Sequence, residues 1–543
     1  MHQSNHKAFL YAFIVSIGGF IFGLDIMLIS GTFEYTTIEF GLTAIQKGNI
    51  GAAPGYGALV ALIVAGYFCE HWGRKKTLMI IAALYVVSAV GSALAPSYES
   101  LFSARLIGGL AFTSLSLASM YIGEIAPPQI RGKLVGLNQL NIVIGILVAA
   151  ILNYYFVAFA NSDSAWAQAI NLTDTNVWRW MLGIETLPAI IWFGLLFLIP
   201  ESPRWLVLNN KHDKARKVIH QLSPSIDDDT HVDIEFDKIV DSLKDTGHSL
   251  SYVEQIKLLF SKNIRIALTI GMLMAAVQAL SGMNAILTFL PMIFQQVGAG
   301  ESAFAQAIWV NLIGAFFTVL ALLYIDKIGR RIMLIGGLIT CTLSLAIVGY
   351  GFYDASYMIT SDSLTSIANI IDTSILSSLV GIEFTNDVAF KQAVIGLTGA
   401  DSFAVIENAL LVSSTHMQGM LVLVGIIVFV CSFNFSLGPI LWILFSEIFP
   451  TKVRAVAITS SALIATIFGG ILVPTLFPWQ LENFGAAITF LIYAGFCLSG
   501  LLFVSQMMPE TKGKTIEEIE DMFAGHLADK NAKHAAKIEQ EIR

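Results

Sequence analysis

Three ionisable residues lie well inside long apolar stretches of this chain, where a charge is costly: Asp25, Arg105 and Glu185. Such a residue faces the protein interior and either pairs with an opposite charge or changes its protonation. Acids beside a guanidinium suit a proton relay, because protonation of a carboxylate releases its ion pair and lets the connected helices rearrange. A permanent Asp25–Arg105 ion pair that only holds two helices together is the alternative.

Helical geometry predicts that Asp25 faces Arg105. Asp25 lies six residues before Gly31, where its apolar run ends, and Arg105 lies about five residues after the start of a run in the opposite direction. At 1.5 Å per residue, both lie about 8–9 Å from the same edge of the apolar layer. Glu185 is seven residues into its own run and falls at a similar depth.

Amide and aromatic side chains in other apolar runs have the properties that a site for a ligand rich in hydroxyl groups would require. Hydroxyls donate and accept hydrogen bonds, as amides do, and a sugar ring also presents a C–H surface to an aromatic face. The side chains with these properties are Gln139, Gln278, Asn284 and Trp442. For any single amide, a hydrogen bond between two helices, worth about 0.6 kcal/mol on average, is the alternative.

Two backbone breaks are predicted beside these side chains. Gln278 and Asn284 are six residues apart, which does not place them on one face of a continuous helix. A break at Ser281-Gly282 would bring them together, and broken helices line transporter sites. Gly438-Pro439, just before Trp442, predicts a hinge that frees backbone carbonyls.

Composition indicates whether these residues lie in a water-soluble protein or in a membrane protein. The chain has 543 residues, of which 55% are hydrophobic and 13% charged, against about 25% charged in soluble domains. A hydrocarbon core about 30 Å thick needs about 20 apolar residues per helix. The sequence offers twelve such runs, which predicts an all-α integral membrane protein. They are 9–31, 49–69, 77–96, 100–123, 133–157, 178–199, 264–297, 303–325, 331–352, 418–447, 455–477 and 484–507.

Three charged motifs occur twice, in the same order. Gly73-Arg74-Lys75 is repeated as Gly329-Arg330-Arg331, Glu124…Arg131 as Glu447…Arg454, and Pro200-Glu201-Ser202-Pro203-Arg204 as Pro509-Glu510-Thr511-Lys512. Repetition at this scale indicates a duplicated membrane half. We therefore expect two pseudo-symmetric six-helix bundles that alternate access to a site between them.

The expected domain organisation follows from where the apolar runs stop. Residues 1–199 form the first bundle, 200–262 a helical linker, 263–507 the second bundle and 508–543 a tail, with an insertion at 353–417.

The insertion has seven acids, one lysine (Lys391) and apolar runs at 374–381 and 403–412, which are too short to span a membrane. Each run is expected to form about two helical turns, and the two are expected to pack on each other. A decoration on the outer face is favoured over a lid, because the central site needs nothing from it.

Lysine and arginine cluster after the second, fourth, eighth and tenth runs and in 200–262. The positive-inside rule then predicts cytoplasmic termini, in a multi-pass protein of the plasma or inner membrane.

Charged residues of the repeated motifs should meet where the two bundles approach each other on the cytoplasmic face. We expect them to form ion pairs that latch the outward-open state and separate when the inside opens. Anchoring by positive charge alone is the alternative. The proposed latch comprises Arg74, Glu124, Arg131, Glu201, Arg204, Arg330, Glu447 and Arg454.

Motifs along nearly the whole chain, apart from 353–417, resemble the sugar porter branch of the major facilitator superfamily. They include Phe22-Gly23-Leu24-Asp25, Gly73-Arg74-Lys75-Lys76, Arg105 to Gly109, Asn138-Gln139-Leu140, Pro200 to Arg204 and Pro509 to Lys512. The resemblance implies twelve helices with a sugar bound midway between two bundles. It is strongest to bacterial proton-coupled sugar symporters, in which an acid at the position of Asp25 marks proton coupling.

The resemblance also implies that Phe22, Gly438, Thr288 and Asn311 line the sugar site, although the chain departs from the family pattern there. Thr288-Phe289 replaces an aromatic pair, and Asn311 lies one turn before the position where the family has an asparagine. Ala279 stands where a second glutamine is usual. These departures leave the identity of the sugar open.

Together these features predict a secondary transporter that imports a monosaccharide with protons and acts as a monomer in the lipid bilayer. A passive facilitator, a symporter of a polyol or inositol, and a transporter-like sugar receptor are the alternatives. No nucleophile–base set, metal-ligand spacing or phosphate-binding glycine motif is present in the sequence. We therefore expect no enzyme activity, no metal, no cofactor and no nucleic-acid partner.

Overall fold

A computed structural model describes most of the chain. The described residues are 2–126, 131–160, 162, 164–222, 229–245, 252–259, 261, 264–297, 302–449, 453–512 and 518.

The first half of the chain is helical throughout its described part. Its helices are α1 (His2–Leu28), α2 (Phe33–Phe40), α3 (Ala44–Trp72), α4 (Arg74–Ala93), α5 (Tyr98–Leu110), α6 (Ser114–Ile125), α7 (Arg131–Ala160), α8 (Ala165–Ala169), α9 (Val177–Gly183) and α10 (Thr186–Leu195). Short 3-10 turns at Ile29–Gly31 and Ala111–Thr113 follow α1 and α5. The linker contributes α11 (Pro203–Leu208), α12 (His212–Leu222), α13 (Asp229–Asp245) and α14 (Tyr252–Leu259).

The second half repeats this pattern and contains the insertion. Its membrane helices are α15 (Arg265–Leu280), α16 (Met283–Thr288), α17 (Leu290–Gln296), α18 (Ser302–Ile328), α19 (Arg330–Tyr353), α23 (Gly419–Phe435), α24 (Leu437–Ile448), α25 (Arg454–Ala465) and α26 (Val473–Met507), with a π-helical segment at Thr466–Leu472. The insertion contains β1 (Ser356–Met358), α20 (Ser361–Ile367), a 3-10 helix (Thr373–Leu379), β2 (Glu383–Phe384), α21 (Asp387–Thr398), α22 (Ala400–Ser414) and β3 (Thr415–His416).

The helices account for the twelve predicted spans. Within the described residues, ten helical segments are long and apolar enough to cross a membrane. One of them, Val456–Met507, has 52 residues and contains two spans, because Gly485 (φ 78°, ψ 166°) interrupts it. The run 178–199 is the remaining span, since a turn at Ile184-Glu185 divides it into α9 and α10, each too short alone. The prediction of an all-α membrane protein with this architecture is therefore confirmed.

Small residues let the two halves approach closely at one end of the molecule. A Cβ at Gly48 of α3 would lie 2.2 Å from the Thr475 carbonyl oxygen, and one at Gly55 would lie 2.2 Å from the Gly470 carbonyl oxygen. Glycine is needed here because only hydrogen fits between the backbones. We call this the insertion end, since residues 353–417 lie there. The opposite end, where Arg74 and Arg330 begin α4 and α19, is the arginine end.

The insertion folds around a core of its own. Its strands form a three-stranded antiparallel sheet in the order β2-β1-β3. The apolar run 374–381 lies mostly in the 3-10 helix, and 403–412 lies within α22. Leu376 and Phe403 belong to the same buried cluster. The two runs therefore share one core, as predicted, while the small sheet is a departure from an all-α fold.

Candidate functional site

Asp25 of α1 and Arg105 of α5 form a buried ion pair. Their exposed fractions are 1% and 2%. The Arg105 guanidinium donates through Nη1 to Asp25 Oδ1 and through Nη2, at 3.4 Å, to the Asp25 main-chain oxygen. The structure thus brings together the two residues that the depth argument placed opposite each other.

Glu185 completes this cluster at the turn between α9 and α10. It is 2% exposed and interacts electrostatically with both Asp25 and Arg105. Asp25 Oδ2, Glu185 Oε1 and Arg105 Nε have no hydrogen-bond partner among the described residues. Two buried carboxylates thus lie near one guanidinium, and Asp25 is the one that forms an ion pair with it. A single proton would balance the charge and give one unpaired oxygen a donor.

Close helix contacts fix the positions of these side chains. A Cβ at Gly23 would lie 2.1 Å from the Ile142 carbonyl oxygen, so α1 lies directly on α7. A Cβ at Gly109 would lie 2.0 Å from the Pro54 carbonyl oxygen, so α5 lies equally close to α3. Asn153 Nδ2 donates to the Met27 carbonyl oxygen at 3.0 Å, which satisfies a carbonyl that the end of α1 leaves free.

The predicted break at Ser281-Gly282 is confirmed. α15 ends at Leu280, α16 begins at Met283, and Gly282 has a left-handed backbone (φ 88°), which favours glycine. The two amides do not bind each other. Gln278 Nε2 donates to the Leu437 carbonyl oxygen at 3.4 Å, and Asn284 Nδ2 donates to the Gly469 carbonyl oxygen at 2.8 Å.

Both of those carbonyls lie where a helix is irregular. Leu437 follows Ser436, whose backbone (φ −127°, ψ −87°) separates α23 from α24 two residues before Gly438. Gly469 lies within the π-helical segment. Irregular turns of this kind leave carbonyls outside the regular helical pattern, and membrane proteins tolerate them where they line a cavity.

The aromatic side chains proposed for the site lie in both halves. Trp442 is 51% exposed, and its ring meets the Phe445 ring edge-on at a centroid distance of 5.8 Å. Phe22 is half-buried and meets Phe112 edge-on at 4.5 Å. Gln139 on α7 is also half-buried. An exposed tryptophan can offer its face to a sugar ring.

Thr288 and Asn311 lie in the contact between the two halves. Thr288 is buried, and a Cβ at Gly51 of the first half would lie 3.1 Å from its Cγ2. Asn311 is buried, donates to the Ala307 carbonyl oxygen of its own helix at 2.8 Å, and contacts Met27 Sδ at 3.8 Å. In this conformation both residues pack at the interface.

At the arginine end, the two halves repeat one arrangement of charges. Arg74 binds Glu124 through Nε (3.1 Å) and Nη2 (2.8 Å), and Arg330 binds Glu447 at the same two distances. Each pair joins helices of the same half, whereas the latch hypothesis placed such pairs between the halves. The physical reason is the turn before each arginine, where a glycine with positive φ (Gly73, 91°) directs the side chain back into its own bundle.

A second carboxylate caps each of these helices. Glu201 accepts hydrogen bonds from the backbone N–H groups of Arg74 (2.9 Å) and Lys75 (3.2 Å). Glu510 accepts them from Arg330 (2.9 Å) and Arg331 (3.1 Å). A negative charge at a helix N-terminus is favourable, because the first N–H groups have no partner within the helix.

The other proposed latch residues have different surroundings. Arg204 is exposed, and Arg454 Nε donates to the Phe449 carbonyl oxygen at 3.1 Å. The Arg131 side chain lies outside the described residues.

Sequence reasoning missed two features of the site. The π-helical segment that presents the Gly469 carbonyl has no sequence signature of its own. The hydrogen bond from Gln295 Nε2 to Glu34 Oε2 (2.7 Å) joins the second half to the first at the insertion end. The two residues are 261 positions apart and belong to no shared motif, so no local signal indicated the contact.

The amino-acid sequence is similar to those of known transporters. The model of the family described as "Sugar (and other) transporter" matches residues 11–386 and 358–523. The arabinose-proton symporter of Bacillus subtilis is 32% identical over 93% of this chain and 93% of its own length. The D-xylose-proton symporter of Escherichia coli is 28% identical over 96% of this chain and 97% of its own.

The fold matches as well. The inward-open structure of the xylose transporter XylE from E. coli superposes with a TM-score of 0.70 at 26% identity, over 95% of this chain and 99% of that one. Both the sequence comparisons and the fold extend over nearly the whole chain. It follows that this chain is a member of the sugar (and other) transporter family.

Proposed function

We propose that this protein imports a monosaccharide together with protons by alternating access. The observation that carries the proposal is the buried Asp25–Arg105 ion pair, with the Glu185 carboxylate buried near it. Relatives whose names specify arabinose–proton and D-xylose–proton symport support it. Transport, rather than an enzymatic reaction, is the activity of this family.

The proton step follows from the charges in the cluster. When Asp25 takes up a proton, the nearby Glu185 carboxylate still offsets the charge of Arg105, so the guanidinium is not left without a counter-charge. The pair between α1 and α5 then loses its full electrostatic attraction, which lowers the cost of moving α1. Release of the proton to the other side restores the pair and resets the transporter.

The sugar step uses groups from both bundles. The first half contributes Gln139 and Phe22. The second half contributes Gln278, Asn284 and Trp442. A hydroxyl that displaced the Gly469 carbonyl from Asn284, or the Leu437 carbonyl from Gln278, would exchange one hydrogen bond for another at little net cost. Thr288, Asn311 and Gly438 are proposed to join the site when the halves separate at the insertion end. A polyol or inositol would satisfy the same amides.

The orientation proposed in the membrane places the arginine end in the cytoplasm and the insertion end outside. Arg74, Lys75, Arg330 and Arg331 begin helices at the arginine end, in agreement with the positive-inside rule. Both termini would then be cytoplasmic, in a plasma or inner membrane.

The proposed domains are 1–199 and 263–507 as the two bundles, 200–262 as the linker and 508–543 as the tail. The first bundle contains the Arg74–Glu124 pair, and the second contains the Arg330–Glu447 pair. We assign these pairs, with Glu201 and Glu510, to holding each bundle rigid while the bundles move against each other. We keep the hypothesis of a latch between the bundles for Arg131 and Arg454.

Uptake of labelled sugars into proteoliposomes tests the proposal. A panel of pentoses, hexoses and inositol is offered with and without an imposed pH gradient, inside alkaline. Accumulation above the external concentration is expected for at least one sugar, and only with the gradient. Equilibration that ignores the gradient would establish a facilitator instead, and uptake of inositol alone would replace the monosaccharide.

A further inference from the structure

The insertion contacts both halves of the transporter. It leaves and rejoins the second half, between Tyr353 and Gly419. Its helix α21 packs on α26, and α22 packs on α17, both in the second half. Helix α22 also packs on α2, which belongs to the first half. An outer decoration that served only its own half would not need this last contact.

A buried carboxylate anchors the insertion to the second half. Asp387 is 8% exposed, and the backbone N–H of Ala486 interacts favourably with its carboxylate. A Cβ at Gly485 would lie 2.5 Å from Asp387 Oδ1, so the carboxylate lies directly on this backbone. Gly485 (φ 78°) is where the helix restarts within α26, and a carboxylate is favourable at such a start.

A second charged group of the insertion joins α21 to α22. Lys391 is 9% exposed, and its Nζ lies 2.9 Å from Glu407 Oε1 on α22. Lys47, in the first turn of α3, also attracts Glu407. Glu482 and Asp387 also attract Lys391. Glu407 thus pairs with a lysine of the insertion and is attracted by a lysine of the first bundle.

Lys47 lies beside the contact between α3 and Thr475, which closes the space between the bundles at the insertion end. We call this space the mouth. The next residue, Gly48, meets the Thr475 carbonyl of the second half. Any motion that opens the insertion end separates α3 from Thr475 and carries Lys47 and α2 away from α22. The contact of the insertion with the first half is therefore made only in the conformation in which the mouth is closed.

We infer that the insertion is a strap that holds the mouth at the insertion end closed. Helix α22 and the attraction between Glu407 and Lys47 stabilise the conformation in which the halves meet there, and both are released when the mouth opens. The inference rests on the proposed function, since it assumes that the mouth opens during transport. It replaces the expectation that the insertion is a decoration.

A cysteine in the mouth reports on opening. Thr475→Cys places a thiol at the closed contact, and the four native cysteines are buried, so their background is low. The full-length protein in right-side-out vesicles is treated with a membrane-impermeant maleimide. Glu407→Gln should speed labelling of the introduced thiol about twofold to fivefold, the range for a partly exposed charge interaction. Glu383→Gln, an exposed acid of the same insertion, is the matched control and should leave the rate unchanged.

A double-mutant cycle separates the strap from a folding defect. Lys47→Gln lies outside the insertion and cannot unfold it, and it should speed labelling as Glu407→Gln does. The variant with both changes should label about as fast as Glu407→Gln alone, because the attraction between Glu407 and Lys47 is already lost there. Unchanged labelling in Lys47→Gln, or rates that multiply in the double variant, would overturn the strap.

The readout needs neither sugar nor protons, so the two proposals fail separately. If the labelling rates change as expected in the single and double variants, but the protein does not concentrate sugar, only the proposed function is wrong. If sugar uptake is normal, but neither Glu407→Gln nor Lys47→Gln changes the labelling rate, only the strap is wrong.

Discussion

The Asp25→Asn variant tests the charge arrangement in the buried cluster. The change removes the paired carboxylate but leaves the buried Glu185 carboxylate near enough to attract Arg105, so the guanidinium keeps a counter-charge in the cluster. The expected loss is one hydrogen bond to a charged group, about 1.5–3 kcal/mol of unfolding free energy. Glu185→Gln should cost less, because Asp25 accepts the hydrogen bond that the structure shows from Arg105.

The double variant Asp25→Asn/Glu185→Gln leaves Arg105, which is 2% exposed, without either acid. A stranded buried charge costs about 3–5 kcal/mol. The double variant should therefore lose more stability than the sum of the two single variants, which is the signature of a shared partner. Denaturant unfolding of the purified protein in detergent measures all three values.

Transport provides the second readout of the same variants. One pH unit across the membrane is worth about 1.4 kcal/mol per proton, which supports at most about tenfold accumulation. Asp25→Asn should reduce the accumulation ratio to one while exchange of labelled for unlabelled sugar continues. Glu99→Gln, an exposed acid at the start of the helix that carries Arg105, is the control. Strictly additive stabilities together with pH-driven accumulation in Asp25→Asn would refute the reasoning.

Three further outcomes follow from other contacts. Asn284→Ala and Trp442→Ala should each weaken sugar affinity in equilibrium binding, and the loss for Asn284→Ala should be about 1–3 kcal/mol. Unchanged affinity in both variants, at normal protein levels, would rule out the proposed sugar site. Gly329→Ala should destabilise the second half in thermal unfolding, because φ is 104° and the added Cβ would lie 2.7 Å from Glu510 Oε2, whereas Gly336→Ala, with open space, should not. Burial raises the pKa of Glu407, but Lys391 and Lys47 outweigh it and hold that pKa below its usual range. Its contribution is thus present at neutral pH and lost as the pH falls through the lowered pKa, so the labelling difference of Glu407→Gln should shrink as the pH is lowered through that range; a difference that stays constant under increasingly acidic conditions would contradict this.

The parts of the site that the sequence predicted depend on counting along a helix. The facing positions of Asp25 and Arg105 follow from the rise per residue in two opposite spans, and the break at Gly282 follows from the spacing of two amides. Both arguments need only local geometry and the thickness of the membrane. They succeed because the bilayer fixes depth in a way that water does not.

The parts that the sequence did not predict depend on direction or on irregular backbone. Glu124 lies seven residues from Arg131, yet the described partner of Glu124 is Arg74, fifty residues away. Spacing along a helix identifies a common face, but only the turn at Gly73 determines which helix the arginine reaches. Strands of two or three residues carry no periodicity, so the sheet in the insertion left no pattern to read.

The caps made by Glu201 and Glu510 bear on the order in which the protein is made. Glu201 follows the last membrane helix of the first half and binds the start of α4, 127 residues earlier. The ribosome therefore supplies every group needed to close the first bundle before the second bundle is synthesised. The second bundle depends on Glu510, 180 residues after Arg330 and beyond its last helix, so its cap forms only after residue 510 has been synthesised. A chain that ended before Glu510 would leave the first N–H groups of α19 without this cap.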